Sequence, residues 1–581
     1  MSINKYIKGF AIAVSALTLS SCASDYLDTP THGSIPADKI CATPESARMA
    51  MLGVMGRGMA APWSSTSMAP SQALMQGETG YSYYMGEIAG SDNYVNFIYN
   101  EAPSWALLYN QDEGALTTGG YVWNTTIWYY AYAMLAQVNE ILASIDEANV
   151  AGGETAVALR DFTKAQALTM RAHCYWRLLQ VYAPRWVDSN NGETLSVVLR
   201  LSPNDPQDMA VTKMINVLNQ CYSDLDQATA LFENTQSFRT LNYEIDKNVA
   251  YGVYARVAAL RNDWQTVATM ANKARQGKRL ATVAEAFNGY TSYNNSEWMW
   301  APSFDQIDNF IYGNFCTFFA CNAYAANNAR YTNSINRDLY RQIPAEDLRC
   351  DWWFTYEKAV GLTPAMFYMP TTVNPETGAF KNNRMLSAAQ NWMKEHKPST
   401  ITGADAYAGA TTSDQSTSII RDGAQIKFWC NGETGQTTLC QVPYMRATEM
   451  YLYEAEALAE LGRSSEAQKL LEEINKNFNA NYTCSLTGQA LIDEVRLYRR
   501  VELWGEGFNW FDLKRWNLPM KRTAWVSGNV NSGNIPAGLA VEVDPSANQG
   551  WRYGIPRSEL SYNNLILTPV PGGKNDVTSD N

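Results

Sequence analysis

The spacing of apolar residues along this chain predicts a mainly α-helical protein whose helices come in pairs. Two segments around Pro184 carry apolar residues at intervals of three and four, which is the period of an amphipathic helix. The first contains Ala165, Leu168, Ala172, Tyr175, Leu179 and Tyr182, and the second contains Val211, Ile215, Leu218, Tyr222 and Leu225. Between Lys247 and Arg275, Asn262 and Asp263 separate two further helical patterns, and both residue types favour a turn and a new helix start. The pattern therefore predicts helix hairpins.

The clearest helix pair runs from Arg446 to Phe478. Gly462 suits the end of its first helix, and Ser465 with Gln468 predicts a capping box for the second. Its two apolar stripes are Ala447, Tyr451, Ala455 and Leu458, and then Ala467, Leu470, Leu471, Ile474 and Phe478. The 33 residues of this unit match the period of a tetratricopeptide-like repeat, about 34. Because one such unit cannot bury its stripe alone, we expect several to stack into a scaffold.

The character of the chain changes between residues 286 and 440. Gly, Asn, Thr, Ser and Pro become frequent there, and aromatic residues follow no helical period. We predict a loop-rich, irregular second lobe inserted between helical parts 40–285 and 441–581, with a few short strands such as the one at 297–300. The Gly-, Asn- and Pro-rich tail from Trp525 is expected to wrap around the helical body.

The N-terminal residues have the features of an export signal. Lys5 and Lys8 precede an apolar run from Phe10 to Leu19, which is too short to span a bilayer. The run ends in Leu19-Ser20-Ser21-Cys22, which resembles the bacterial lipobox, so we expect residues 1–21 to be removed and Cys22 to be lipidated. Residues 22–39 then predict a polar tether. A plain secretory signal, with Cys22 an ordinary residue, is the alternative.

The net charge narrows the possible binding partners. A formal net charge of −12 argues against nucleic acid as a partner, because nucleic-acid binding depends on clustered Lys and Arg.

Nine cysteines follow Cys22, an odd number that excludes complete disulfide pairing within the chain. Cys174 and Cys221 lie in helical patterns and are expected to be free and buried. Cys316 with Cys321, or Cys430 with Cys440, remain possible loop disulfides.

No catalytic, metal or cofactor motif is found. The chain has three histidines and lacks the H-E-x-x-H, G-x-S-x-G and Walker A patterns, so we predict no enzyme, catalytic residue, metal or cofactor. Arg499, Glu502 and Glu506 are spaced to share one helix face. Two carboxylates on adjacent turns of one helix lack the opposed placement that glycoside cleavage needs, so a structural role is predicted.

Two aromatic-rich stretches are the candidate ligand-binding regions, Gly77–Trp105 and Tyr312–Tyr331. Tyrosine faces suit the C–H faces of sugar rings, and Asp and Asn side chains suit vicinal hydroxyls. The candidate residues are Tyr81, Tyr83, Tyr84, Asp92, Asn93 and Trp105 in the first stretch, and Tyr312 and Tyr324 in the second. The alternative is a surface loop whose tyrosines pack on the helices.

Several motifs resemble the SusD/RagB family. They are Pro443-Tyr444-Met445-Arg446-Ala447, Glu454-Ala455-Glu456-Ala457, Arg499-Arg500-Val501-Glu502-Leu503, Glu506-Gly507, Trp510-Phe511-Asp512-Leu513-Lys514-Arg515-Trp516 and Ile555-Pro556. The chain departs from the family pattern at Tyr498, where Glu is common, and at Asn509, where Arg is common, so fewer ion pairs are expected there. The resemblance extends over nearly the whole mature chain.

The resemblance implies a SusD-like fold, with a tetratricopeptide-like scaffold and an inserted lobe, and a nutrient-binding role. Such a protein is a surface-exposed, lipid-anchored lipoprotein of a Bacteroidetes-type outer membrane. It binds an oligosaccharide or polysaccharide and delivers it to a SusC-like, TonB-dependent transporter. The alternatives are a RagB-like, peptide-capturing lipoprotein with the same transporter partnership and a surface glycoside hydrolase. The resemblance also implies that Trp298 and Trp300 are buried.

Overall fold

The fold was analysed in a computed structural model of the chain. The structure describes residues 40–60, 78, 84–96, 123–291, 296–304, 315, 319–323, 332–358, 383–408, 422–431, 440–526, 529, 531–535, 540–544, 552–556, 559 and 562–567. Its α-helices are α1 (Pro44–Ala60), α2 (Trp123–Ser144), α3 (Glu154–Tyr182), α4 (Met214–Asn234), α5 (Lys247–Leu260), α6 (Trp264–Ala274), α7 (Val283–Ala286), α8 (Arg337–Tyr340), α9 (Asn383–Glu395), α10 (Ala447–Glu460), α11 (Ser464–Asn475), α12 (Gly488–Glu502) and α13 (Asn509–Trp516).

The turn between α5 and α6 forms as the sequence predicts. Asn262 adopts a left-handed backbone conformation with φ of 55°, which asparagine tolerates better than most residues. The carboxylate of Asp263 then accepts the backbone N–H of Thr266 and caps α6. These two residues therefore close the hairpin by local interactions alone.

The hairpin of α10 and α11 is confirmed, but its predicted capping box is wrong. Gly462 has φ of 73° just after α10, as a helix-ending glycine should. The next helix begins at Ser464 with Arg463 as its N-cap, and no side chain caps it. Both stripes are buried, including Ala455, Leu471 and Ile474. Tertiary burial, not the cap, therefore holds this helix in place.

The helical pairs stack into one scaffold. Neighbouring helices in the sequence pack together, namely α2 with α3, α3 with α4, α4 with α5, α5 with α6 and α10 with α11. Helix α6 also packs on α10, although the loop-rich residues lie between them in the sequence. The chain therefore leaves the scaffold after α6 and rejoins it at α10, as expected for an inserted lobe.

The strands are short and antiparallel. They are β1 (Asn93–Asn96), β2 (Leu195–Val197), β3 (Thr212–Lys213), β4 (Trp298–Trp300), β5 (Ser303–Phe304), β6 (Thr332–Ile335), β7 (Trp353–Phe354), β8 (Ala424–Gln425), β9 (Cys440–Gln441), β10 (Met445–Arg446), β11 (Met520–Arg522) and β12 (Val541–Val543). A four-stranded sheet has the order β1-β6-β8-β7. Because β1 lies between α1 and α2 of the helical part and the other three strands come from the lobe, this sheet joins the two parts of the chain.

Tryptophan burial agrees with the expectation for β4. Trp298 and Trp300 are buried, and so are Trp352 and Trp353 at the start of β7. Trp300 donates its indole N–H to the carbonyl of Tyr243, which ties β4 to the scaffold. These indoles therefore form core, and none of the four is available to stack on a ligand.

Seven cysteines of the described residues are free thiols. Cys174 and Cys221 are buried, as the helical pattern predicts. Cys321 and Cys430 are also free, so neither of the two possible loop disulfides forms. In the described part of the chain no helix combines the length and apolar character needed to cross a bilayer.

The tail crosses back over the scaffold where it is described. The backbone N–H of Tyr553 donates to the carbonyl of Val181 near the end of α3. Trp128 of α2 donates its indole N–H to Glu559, and the side-chain amide of Asn563 bonds both backbone groups of Met209. These contacts confirm that the tail lies along the helical body.

Candidate ligand-binding site

The first candidate stretch is anchored at Glu78 by a fully buried polar cluster. Glu78 accepts hydrogen bonds from Arg177 Nε at 3.0 Å and from the Tyr444 hydroxyl, and its Oε2 lies 2.7 Å from His173 Nε2. Burial alone would raise the pKa of Glu78, but His173, Arg177 and Tyr444 outweigh it and lower that pKa. Burial lowers the pKa of His173 against the attraction of Glu78.

The second anchor is Glu87, in a π-helical turn at Tyr84–Ile88. Its Oε1 accepts the backbone N–H groups of Gly507 at 2.8 Å and Phe508 at 3.1 Å. Gly86 lies so close to Gly507 that an added Cβ would overlap the Gly507 carbonyl. This close approach is possible because Gly86 has no side chain, and Gly507 itself has φ of 87°. The turn therefore sits directly on the loop that follows α12.

The third anchor is Asp92, which contacts the C-terminal part of the chain. Arg500 binds its carboxylate through Nε at 2.8 Å and through Nη2, and Asn509 donates its amide to the same carboxylate. Trp504 donates its indole N–H to the Asp92 carbonyl at 2.9 Å. Asn509 Oδ1 accepts the backbone N–H of Ser91 at 2.7 Å. Asn509 stands where the SusD/RagB pattern commonly has Arg. Its amide therefore holds residues 91–92 by hydrogen bonds instead of an ion pair.

Beyond Asp92 the chain enters the four-stranded sheet. Strand β1 pairs with β6 in the register Asn93 to Ile335 and Asn96 to Thr332. The amide of Asn93 donates to Asn333 Oδ1 at 2.9 Å, and both side chains are buried. The described residues of segment 78–96 are therefore fixed to the scaffold, the C-terminal part and the lobe in turn.

A second buried polar cluster surrounds Arg446, at the start of α10. Its guanidinium reaches Glu506 Oε2 at 2.8 Å, Glu297 Oε1 at 2.7 Å and Glu502 Oε1 at 3.3 Å. Lys427 binds Glu506 Oε1 at 2.7 Å, and Arg349 binds Glu502 Oε2 at 3.0 Å. All of these side chains are buried. Buried groups that are bound by protein partners have no access to a substrate.

Charge balance in this cluster depends on Glu297. Burial raises the pKa of Glu297, and the neighbouring Glu502 and Glu506 raise it further against the attraction of Arg446. Burial opposes the ionisation of Glu502 as well, but Arg446 and Arg349 outweigh it and lower the pKa of Glu502. Glu297 is therefore harder to ionise than an ordinary glutamate, because its charge would add to the negative charge at Arg446.

The predicted structural role of Glu502 and Glu506 is confirmed, while their predicted placement is wrong. Helix α12 ends at Glu502, and Glu506 lies in the loop after it. The two carboxylates meet at Arg446 because the chain turns through Gly505, which has φ of 80°. Arg499 instead binds Asp512 of α13 at 2.7 Å.

Sequence comparison places this chain in a known family. A sequence profile described as "SusD family" matches residues 254–569, more than half of the chain. A second profile, described as "Starch-binding associating with outer membrane", matches residues 65–258. The chain belongs to the SusD family. No curated protein matches it by sequence.

Solved structures share the fold of this SusD-family protein at low sequence identity. A SusD-like carbohydrate binding protein from Bacteroides vulgatus aligns with a TM-score of 0.65 at 19% identity, over 90% of this chain and 97% of that one. A SusD superfamily protein from Bacteroides thetaiotaomicron aligns with a TM-score of 0.61 at 17% identity, over 90% and 98%. A SusD-like carbohydrate binding protein from Bacteroides fragilis aligns with a TM-score of 0.62 at 15% identity, over 90% and 99%. The predicted SusD-like, tetratricopeptide-like fold is thereby confirmed.

The candidate ligand residues of this SusD-family protein divide into two groups. Tyr81, Tyr83, Trp105, Tyr312 and Tyr324 lie outside the described residues, and of Tyr84 the backbone alone is described. Their binding role stays a prediction.

Asp92 and Asn93 form the second group, and as ligand contacts they too stay predictions. Their side chains are buried on protein partners, so a ligand would have to displace those partners. The structure gives both a positional role that sequence reasoning missed. No sequence spacing could have revealed it, since Asp92 and Arg500 are 408 residues apart.

A cleft beside the end of α3 has a structural explanation. Trp186, Phe511 and Lys514 are among its lining residues. The Lys514 ammonium donates to the carbonyls of Gln180 at 2.6 Å and Ala183 at 2.8 Å, which completes the hydrogen bonding at the end of α3. Across the part of the chain that the structure describes, no group of His, Cys, Asp and Glu side chains is arranged to hold a metal ion.

Proposed function

We propose that this protein is a glycan-capturing lipoprotein of the outer membrane. It is anchored through Cys22 after removal of residues 1–21, faces the cell exterior on a tether of residues 22–39, and passes its ligand to a SusC-like, TonB-dependent transporter. Residues 286–440 form the ligand-binding lobe between helical parts 40–285 and 441–581. It carries out no catalysis and needs no cofactor or metal.

One observation carries the glycan assignment. The stretch that holds Tyr81, Tyr83 and Tyr84 lies between two buried carboxylate anchors, Glu78 and Glu87. Because both ends of this tyrosine-rich segment are anchored, the segment has less conformational entropy to lose when a ligand binds. Planar tyrosine faces with hydroxyl tips suit a polyhydroxylated ring.

The comparisons support the same assignment. The profile described as starch-binding and outer-membrane-associating covers residues 65–258, which include the whole stretch from Gly77 to Trp105. Two of the structural neighbours are described as carbohydrate binding proteins. The buried and paired state of Glu502 and Glu506 further weakens the hydrolase alternative.

The proposal predicts that aromatic side chains in this stretch bind the sugar. The chain from residue 23 onward is screened by affinity gels and calorimetry against polysaccharides, oligosaccharides and peptide mixtures. We expect saturable binding of one glycan class, weakened about five-fold or more in Tyr81→Ala, Tyr84→Ala or Trp105→Ala, since one stacking contact contributes roughly 1–3 kcal/mol. Tyr562→Ala is the matched control, because that tyrosine is 61% exposed and lies in the tail, in the turn after Glu559.

Each other outcome of the screen has a defined meaning. Binding of peptides alone would replace glycan capture by RagB-like peptide capture. Release of shortened sugars would overturn the assignment as a binding protein. An equal loss of glycan affinity in Tyr562→Ala and Tyr84→Ala would show that the binding site does not lie in this stretch.

Lipid anchoring is tested separately at Cys22. Each buried methylene of an acyl chain contributes about 0.8 kcal/mol, so two or three chains hold a protein firmly at the membrane. We expect Cys22→Ala to move the protein from the membrane fraction to the soluble fraction, while a control substitution, Ser24→Ala, leaves it membrane-bound. A Cys22→Ala protein that stays in the membrane fraction would refute the anchor.

A further inference from the structure

Glu87 differs from the other buried carboxylates of this protein. Thirteen carboxylates besides Glu87 are buried within the described residues, and each has a Lys, Arg or His nitrogen within ion-pairing distance. Glu78 has Arg177, Asp92 has Arg500 and Glu506 has Lys427. Glu87 is 1% exposed, and no described cation pairs with it. A buried carboxylate without a cation is costly to ionise.

None of the described charged groups around Glu87 forms an ion pair with it. From its own segment, Asp92 adds a second negative charge. From α12, Arg500 is engaged by Asp92, and from the following loop Glu506 binds Arg446 and Lys427. From β11, Arg522 donates to the backbone carbonyls of Ile88 and Gly90.

These surroundings set the direction of the pKa shift. Burial raises the pKa of Glu87 to about 7; the backbone N–H groups of Gly505, Gly507 and Phe508 oppose the shift, and Asp92 adds to it. The carboxyl group of Glu87 therefore keeps its proton in mildly acidic solution.

We propose that Glu87 is a positioning residue that docks residues 84–92 on the loop at residues 505–508 through Oε1 while its carboxyl group is protonated. The part of this inference that concerns glycans rests on the proposed function, because Tyr84 opens the same π-helical turn. The turn has little freedom to adjust, since Gly86 lies in contact with Gly507. An ionised Glu87 would bring a second negative charge close to Asp92, whose guanidinium partner Arg500 is already engaged.

The direction of the pH dependence follows from linkage. When the segment leaves the loop, Glu87 enters water and its pKa returns towards 4.5, below its docked value of about 7. Between these two values the docked state binds more protons than the undocked state. Docking is therefore strongest at acidic pH, weakens as the pH rises towards 7, and changes little above that.

Amide hydrogen exchange of the full mature chain tests this inference without any ligand. After correction for the intrinsic exchange rate, we expect residues 84–92 to exchange about ten-fold or more faster at pH 8 than at pH 5. In Glu87→Gln, which keeps the acceptor oxygen and cannot ionise, the two rates should agree. Glu45→Gln is the control, because Glu45 is an exposed carboxylate of α1, and it should keep the pH dependence of the native chain.

Two results would overturn the inference: equal exchange at pH 5 and pH 8 in the native chain, or an unchanged pH dependence in Glu87→Gln. If Glu87→Gln does not fold, the pH dependence of amide exchange in the native chain tests the inference by itself. Failure of the proposed function looks different, since pH-dependent exchange would then occur with no glycan bound at either pH. Where a glycan does bind, its affinity in the native chain should fall from pH 5 to pH 8, and in Glu87→Gln it should not.

Discussion

Arg446→Met is expected to lower the free energy of unfolding by about 3–5 kcal/mol, the usual cost of removing one partner of a buried ion pair. Arg446 is the guanidinium that binds Glu297, Glu502 and Glu506 together. Methionine fills similar space but leaves Glu502 with Arg349 and Glu506 with Lys427, so the carboxylates lose their shared cation while they stay buried.

The loss in free energy of unfolding caused by Arg446→Met should depend on pH. In the native chain the pKa of Glu502 is lowered, because Arg446 and Arg349 outweigh burial, and that contribution to stability is present above its unfolded pKa. Without Arg446 the carboxylates take up protons more readily in acid. The difference between the two proteins should therefore be larger at pH 8 than at pH 5.

Chemical denaturation at both pH values measures this effect. Arg463→Met is the matched control, because Arg463 pairs with Glu466 on the surface, where both side chains are about half exposed. An exposed pair contributes roughly 0–1 kcal/mol, so this control should unfold almost like the native chain. Similar losses in the two variants would show that burial of the Arg446 cluster is not what makes it stabilising.

Gly86→Ala is expected to push the π-helical turn off the C-terminal loop. Its methyl group would overlap the carbonyl carbon and oxygen of Gly507, which are backbone atoms and cannot rotate aside. Overpacking of this kind costs about 1–3 kcal/mol. Because Tyr84 lies two residues away, we also expect glycan affinity to fall at least about ten-fold, through lost positioning of the segment.

Gly53→Ala provides the control for this substitution. Gly53 lies in α1, where an added Cβ meets no atom within 4 Å, and alanine favours a helix over glycine by up to about 1 kcal/mol. It should raise stability slightly and leave glycan affinity unchanged. Native affinity in Gly86→Ala, measured by the same calorimetry, would show that ligand binding does not depend on the docked turn.

Local interactions are what sequence reasoning predicted best. The hairpin at Asn262 and Asp263 and the end of α10 at Gly462 follow from backbone preferences that act within a few residues. The capping box at Ser465 was wrong because a buried stripe can fix a helix start without a cap. Glu506 was misplaced because periodicity continues a helix past Glu502, whereas the chain turns at Gly505.

The candidate site was predicted as a stretch of sequence rather than as a set of contacts. Tyrosine content marked Gly77–Trp105, but composition cannot show which polar side chains will be used by the protein itself. Asp92 is an example, because its partners Arg500 and Asn509 come from the opposite end of the chain. Sequence could equally not show that no cation among the described residues pairs with Glu87, since ion pairing is a property of three-dimensional packing.

The sequence by itself determined the helical repeats, the inserted loop-rich lobe and the family. Hydrophobic period, turn residues and motifs act over short stretches and are therefore visible in a single chain. Tertiary structure decided which carboxylates are paired, where the tyrosine-bearing segment docks and which tryptophans form core. These outcomes depend on contacts between residues hundreds of positions apart, and burial makes such contacts strong by removing the competition of water.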